Sequence, residues 1–206
     1  MINRRNLITT SASSLLVASS TKSFADCNDK AKTPSQVKGP FYKNTFDQKN
    51  SDLTYNNGRA SGEIIKITGR IMDVNCNPLA NCKISVWQAN VYGKYNHPGD
   101  DSDRPIDPFF NGYSKFNNDE NGQYTFLTIK PGSYQAMGTW VRPPHIHIKI
   151  DTPRGKSLVT QLYFSGNPLN KKDFLYKETD SPELLELELK KDSESKFFKS
   201  TFDFII

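Results

Sequence analysis

Three cysteines, three histidines and two tryptophans are all of these types that the 206 residues contain, and each scarcity excludes something. With no CxxC pair and no paired Cys/His spacing, a cysteine-built zinc module is excluded. No run approaches the roughly 20 apolar residues of a membrane-spanning helix, so no membrane span is expected. Charge of one sign is scarce too. The net charge is +5, but residues 1–25 hold Arg4, Arg5 and Lys22 and no acid, and beyond them 24 basic residues face 22 acidic ones. No basic run remains that could neutralise a row of phosphates, which argues against nucleic-acid binding. No internal repeat is visible.

Aromatic residues are plentiful by contrast, with 13 Phe and 9 Tyr. A disordered chain would not carry so many, and the length suits one domain of roughly 100–200 residues. Twelve Gly and twelve Pro among short apolar alternations point to β-structure with many turns. Ile65, Ile67 and Ile71 alternate with polar residues, and Ile84 and Val86 resume the pattern after the turn Asn75–Pro78. Tyr124–Leu127, His145–Ile150 and Leu158–Phe164 read as further strands, the first leaving a hairpin turn at Asp119–Gly122. Residues 43–62 read as a long surface loop. Residues 91–118, punctuated by Gly93, Pro98, Gly99, Pro105, Pro108 and Gly112, read as a functional loop. In the tail, Ser181-Pro182-Glu183 suits a short capped helix, and Phe202 and Phe204 suit a closing strand. The expected fold is all-β, a single β-sandwich domain with long loops.

Met1 to Ala25 has the layout of an export signal: Arg4 and Arg5, a soft apolar stretch, then Ser23-Phe24-Ala25 before Asp26. Arg4-Arg5 followed by Asn6-Leu7-Ile8 resembles a twin-arginine signal; an ordinary secretory signal is the alternative. Either implies cleavage and a periplasmic destination. The division expected is a signal at 1–25, an N-terminal extension and loop at 26–62, and the β-sandwich at 63–206. A lipid anchor at Cys27 is disfavoured, because Ser23-Phe24-Ala25-Asp26 makes a poor lipobox. In an oxidising compartment Cys76 and Cys82 could close a small structural clip, leaving Cys27 as the odd one.

The most informative stretch is Arg142-Pro143-Pro144-His145-Ile146-His147-Ile148-Lys149-Ile150. On a strand, His145 and His147 share one face, and Ile146, Ile148 and Ile150 share the other. Two imidazoles on one rigid face are half of a metal site; the plainer alternative is two polar residues on a solvated face. Neither HxD nor HxE occurs, so a carboxylate facial triad is not offered. Completion could come from His97, or from Tyr95 and Tyr134, whose commoner role is aromatic packing. Spacing leaves these alternatives open.

Larger blocks carry more. Thr33-Pro34-Ser35-Gln36-Val37-Lys38-Gly39-Pro40-Phe41-Tyr42 is followed by Val86-Trp87-Gln88-Ala89-Asn90 and Gly93-Lys94-Tyr95-Asn96-His97. Thr128-Ile129-Lys130-Pro131-Gly132-Ser133-Tyr134 comes next, then the HxH stretch, Thr160-Gln161-Leu162-Tyr163-Phe164 and Phe202-Asp203-Phe204. In this order and spacing the blocks resemble the intradiol ring-cleavage dioxygenases, which include protocatechuate and catechol dioxygenases. The resemblance is closer to the compact core of protocatechuate-type chains than to catechol-type members, whose helical N-terminal extension is not found here.

The resemblance implies a ferric ion, Fe(3+), held by two tyrosinates and two histidines, which map onto Tyr95, Tyr134, His145 and His147. Tyr134 matches the ligand that the family releases when substrate binds, and Arg142 and Gln161 match its active-site arginine and glutamine. Two departures bear on the substrate pocket: Gln135 stands where many members have Pro, and Val141 separates Trp140 from Arg142 where many have Trp directly before the arginine. Physical chemistry agrees with the ligand set. A phenol of pKa about 10 binds as phenolate only beside a strong Lewis acid, and two anionic oxygens favour Fe(III) over Fe(II) or Zn(II). The implied activity is cleavage of a catechol-type ring with O2 to a muconate-type diacid. Arg142 would stabilise charge on the ring, and Gln161 would orient oxygen species or substrate. The implied partners are a small catecholic substrate and O2, with a homo-oligomer as a compatible assembly. Two rival classes are a non-catalytic exported β-sandwich binding module and a zinc hydrolase built on His97, His145 and His147.

Overall fold

The computed structural model describes residues 31–44, 50–55 and 58–206. The expected signal at 1–25 lies outside them. In chain order the strands are β1 (Ile64–Met72), β2 (Lys83–Trp87), β3 (Tyr113–Asn117), β4 (Gln123–Ile129), β5 (Tyr134–Met137), β6 (Trp140–Arg142), β7 (His145–Asp151) and β8 (Ser157–Phe164). After a one-turn helix, α1 (Phe174–Lys177), come β9 (Glu186–Leu187), β10 (Lys190–Lys191), β11 (Phe198–Thr201) and β12 (Phe204–Ile205). One sheet is centred on β1, antiparallel to β4 and parallel to β11 and β12, with β10 beyond β11. The other runs β3-β2-β7-β8-β9. β5 and β6 form a separate hairpin. The result is a nearly all-β sandwich, and no helix among the described residues is long and apolar enough to cross a membrane.

Strand alternation builds the layer between the sheets. Ile65, Ile67 and Phe126 come from the first sheet; Ile84, Val86, Ile146, Ile148, Ile150 and Leu162 come from the second. Each is buried, and each side chain of this size contributes about 1.5–3 kcal/mol when taken out of water. The other face of the second sheet is graded. At one end Lys83, Asp151 and Ser157 lie side by side across β2, β7 and β8; at the other, Tyr113, Trp87, His147 and Gln161 do.

That second end is roofed by residues 33–42, an extended strap along β8. The Gln36 N–H donates to Val159 O (2.8 Å), the Thr160 hydroxyl to Pro34 O (2.7 Å) and the Tyr113 hydroxyl to Phe41 O (2.9 Å). The strap lies within the segment read from sequence as an extension, yet it forms a wall of the fold.

Several other expectations change. Residues 43–62 are not all surface loop: Leu53 and Thr54 are fully buried, and the chain at Ser51–Leu53 bonds along β4 at Leu127. The turn at Asp119–Gly122 does not close a hairpin, because β3 pairs with β2 whereas β4 pairs with β1. It carries the chain from one sheet to the other. The segment 91–118 contains β3, whose residues Tyr113–Asn117 show no period-two alternation in the sequence. Tyr134 is the first residue of β5, directly after the Pro131–Ser133 loop. The Ser181-Pro182-Glu183 signal yields a 3-10 turn at Pro182–Leu185, with no side-chain cap from Ser181. Phe204 lies in the closing strand β12, and Phe202 just before it. The Cys76–Cys82 clip is not made. Cys76 is disulfide-bonded, but Cys82 is a buried free thiol that points inward and donates to Leu79 O.

Candidate active site

Pro143-Pro144 cannot donate to a ladder, so β7 starts at His145 and both imidazoles leave its outer face. His145 and His147 are 2% exposed, and their Nε2 atoms are 3.2 Å apart. His145 Nδ1 lies 2.7 Å from the Pro143 carbonyl, which can only accept. The proton therefore sits on Nδ1, and the Nε2 lone pair faces the site. His147 is stacked on Trp87, with ring centroids 4.8 Å apart and planes 8° from parallel. Above it passes the strap at Gly39, where φ is +72° and a Cβ would lie 3.3 Å from His147 Cε1. Burial, and then the charge of Arg142, pushes both imidazoles well below their ordinary pKa, so both are neutral.

Two loops bring in the tyrosines. Asn90 Oδ1 accepts the N–H groups of Tyr92 (2.9 Å) and Lys94 (3.0 Å), and Asp100 accepts that of Tyr95 (2.7 Å). The two loop backbones touch: a Cβ on Gly93 would fall 2.4 Å from Ser133 O, and one on Gly132 would fall 2.4 Å from Val91 O. Only glycine permits that approach. It sets the Tyr95 and Tyr134 rings perpendicular, 5.5 Å apart, with the Tyr95 hydroxyl 3.4 Å from His145 Nε2. Phe41 of the strap stacks on Tyr95 at 4.4 Å. Burial, and then the neighbouring Tyr134, raises the Tyr95 phenol well above its usual pKa. Burial raises Tyr134 as well, opposed by the charge of Arg142.

Arg142 sits opposite Tyr134 in the hairpin. Its Nη2 donates to Gln161 Oε1 at 2.6 Å and its Nε to Asp173 Oδ1 at 2.9 Å, while Gln161 Nε2 donates to Val37 O at 3.1 Å. Tyr95, Tyr134, Arg142, His145, His147 and Gln161, named from sequence, thus meet in one place. Phe41, Trp87 and Tyr163 stand in the sequence blocks without a role of their own, and Asp173 stands in none of them. Strand pairing places Trp87 beside His147 and Tyr163 beside His145; Asp173 had no sequence signal.

The four candidate ligands fit a metal ion. Two neutral imidazole nitrogens face each other, one with its lone pair fixed, and two phenols close the cluster. His147 Nδ1 has no partner among the described residues, so a proton on Nε2 would satisfy neither that nitrogen nor the shared centre. A cation of the kind that turns both phenols into phenolates answers the donor set. No group of three His, Cys, Asp or Glu side chains converges among the described residues. His97 lies beside Phe41, its ring centroid 5.7 Å away, and its Nδ1 accepts from the Gly99 N–H. The three-histidine zinc arrangement is therefore not formed.

Comparison with known proteins places this geometry. A family model described as dioxygenase matches residues 37–206. The chain is 44% identical over 135 residues to the protocatechuate 3,4-dioxygenase β chain of Burkholderia cepacia, covering 62% of this chain and 57% of that one. It is 29% identical over 158 residues to the catechol 1,2-dioxygenase of Acinetobacter baylyi, covering 70% and 50%. The chain thus spans little more than half the length of these relatives. Among solved structures, the dioxygenase domain of a dioxygenase–carbohydrate-binding fusion from Streptomyces sp. SirexAA-E matches at 27% identity and a TM-score of 0.67, over 85% of this chain and 98% of that one. With the matched region covering the strap from residue 37, both tyrosine loops and the HxH strand, the chain belongs to the intradiol ring-cleavage dioxygenase family.

Proposed function

We propose that this protein is an exported, ferric-iron intradiol dioxygenase. It opens a catechol-type ring between its two hydroxyl-bearing carbons and places both atoms of O2 in the diacid product. One observation carries this reading: two buried imidazoles and two buried phenols cluster beside a buried arginine, in a chain of this family. The relatives' own substrates, protocatechuate and catechol, support the choice of ring.

Tyr95, Tyr134, His145 and His147 would hold the iron. Bound ferric iron supplies the Lewis acidity that makes phenolates of buried phenols and the electron-accepting centre that makes a catecholate reactive toward O2. The chain's own residues do the rest. A catechol must shed two protons to chelate, and Tyr134 Oη can take one of them. Tyr134 suits that exchange better than Tyr95, since Phe41 stacks on Tyr95 and Asp100 grips its backbone. The Arg142 guanidinium stabilises negative charge on the ring oxygen as the ring gains ketonic character. Both polar ends of Gln161 are engaged, so it holds Arg142 Nη2 and ties the strap to β8. The strap, through Gly39 and Phe41, keeps water off His147 and Tyr95.

The test is oxygen uptake by iron-loaded protein with catechol and with protocatechuate, with product identified by mass. One O2 consumed per ring and a diacid retaining both oxygen atoms are expected. Full iron occupancy with no uptake on either ring would contradict the proposal. Export is checked separately: the mature N-terminus should be Asp26 or a near neighbour, and an intact Met1 on exported protein would refute cleavage.

A further inference from the structure

Asp173 is a fully buried carboxylate that the chemistry above does not use. It lies at the N-cap of α1, outside every motif, and is surrounded by donors. Oδ1 accepts from Trp140 Nε1 (2.9 Å) and Arg142 Nε (2.9 Å); Oδ2 accepts from the Tyr176 N–H (3.2 Å) and faces the Tyr163 hydroxyl (3.4 Å). The ion pair with Arg142 is itself buried, with side-chain exposures of 5% and 0%.

Trp140 and Arg142 are two residues apart on β6, so both side chains leave the strand on one side while Val141 takes the other. A tryptophan directly before the arginine would point away from it. The spacing at Val141 is what lets indole and guanidinium share one carboxylate oxygen. With Nε held by Asp173 and Nη2 by Gln161, the plane of the guanidinium is set. The same carboxylate ties the β5–β6 hairpin, which carries both Tyr134 and Arg142, to α1.

We propose that Asp173 is a positioning residue: it clamps the hairpin through Trp140 and Arg142 and so aims the arginine at the ring. The inference rests on the dioxygenase function proposed above. Asn at this position cannot replace the carboxylate, because its one oxygen can face either the Trp140/Arg142 donors or the Tyr176 N–H, not both. Ser can still cap α1 but is too short to reach the hairpin.

The experiment compares wild type with Asp173→Ser, Asp173→Asn and Trp140→Phe. In Asp173→Ser, kcat per bound iron should fall by about 10- to 100-fold, with little change in KM and with the tyrosinate-to-iron colour retained. Asp173→Asn and Trp140→Phe should fall less, in that order. Should Asp173→Ser fail to fold, Asp173→Asn and Trp140→Phe carry the same comparison. Wild-type kcat per iron in the folded Asp173 variants would reduce Asp173 to a helix cap and overturn the proposal. A second readout needs no turnover. The chain has only two tryptophans, so the Trp140 indole N–H is readily resolved by proton–nitrogen NMR of metal-stripped protein. It should be shifted and slow to exchange in wild type and lose both properties in Asp173→Ser, whose hydroxyl cannot reach the indole. An indole signal indifferent to Asp173 would overturn the clamp even if the protein were no dioxygenase; a wild type inactive on catechols with the clamp intact would remove only the proposed function.

Discussion

The second sheet buries both faces where β7 begins, and it does so by different means. Toward the first sheet, Ile146 and Ile148 join a cluster drawn from neighbouring strands by simple alternation. Toward the strap, Trp87, Tyr95, Tyr113 and Tyr134 form a second cluster with Phe41 and Tyr42 packed on it. Its members come from widely separated stretches, and the bond from the Tyr113 hydroxyl to Phe41 O ties it to the distant strap. The first face is redundant, so damage there should cost stability in increments. The second holds each group by one or two specific contacts, so damage there should cost function.

The sharpest way to break the comparison is to remove a ligand. Tyr95→Phe or His147→Ala should lose bound iron and lower kcat/KM by about a thousandfold or more, roughly 4 kcal/mol of transition-state stabilisation. His97→Ala should keep its iron. Metal analysis with oxygen uptake decides, and full iron and colour in Tyr95→Phe would remove that tyrosine from the site. On the other face, Ile148→Ala should destabilise the fold by about 2–5 kcal/mol in chemical denaturation, yet leave iron per folded molecule unchanged. Loss of iron without loss of stability there would show that the two faces are not separable.

Between these extremes, Tyr113→Phe removes one bond to the strap at Phe41 O and should cost about 1 kcal/mol. Its clearer sign should be faster hydrogen exchange at Gln36, whose N–H pairs with β8. The smallest effect is expected at the exposed Lys190–Glu188 pair, with side-chain exposures of 74% and 75%. Lys190→Ala should leave both the unfolding midpoint and turnover unchanged.

The same contrast explains what was legible in the sequence. β7 could be read almost residue by residue, because period-two alternation is a local signal and the HxH pair interrupts it in phase. The tyrosines and Arg142 were found only through the order of several blocks, since nothing local distinguishes Tyr95 or Tyr134 from packing aromatics. The β5–β6 hairpin was missed because Gln135, Ala136 and Met137 are exposed and show no alternation. Asp173 stands among polar residues after Asn167-Pro168, and only the fold reveals that Trp140 and Arg142 point at it. Cys82 misled for the opposite reason: its nearness to Cys76 in sequence says nothing of a side chain that turns into the core.

The most direct measurement is the visible absorption spectrum of iron(III)-loaded protein before and after anaerobic addition of catechol. A broad tyrosinate-to-iron band should be present at rest and should shift as catechol chelates and Tyr134 gives up its place. Stoichiometric iron without such a band, or a band that catechol does not alter, would contradict the site of two tyrosines and two histidines.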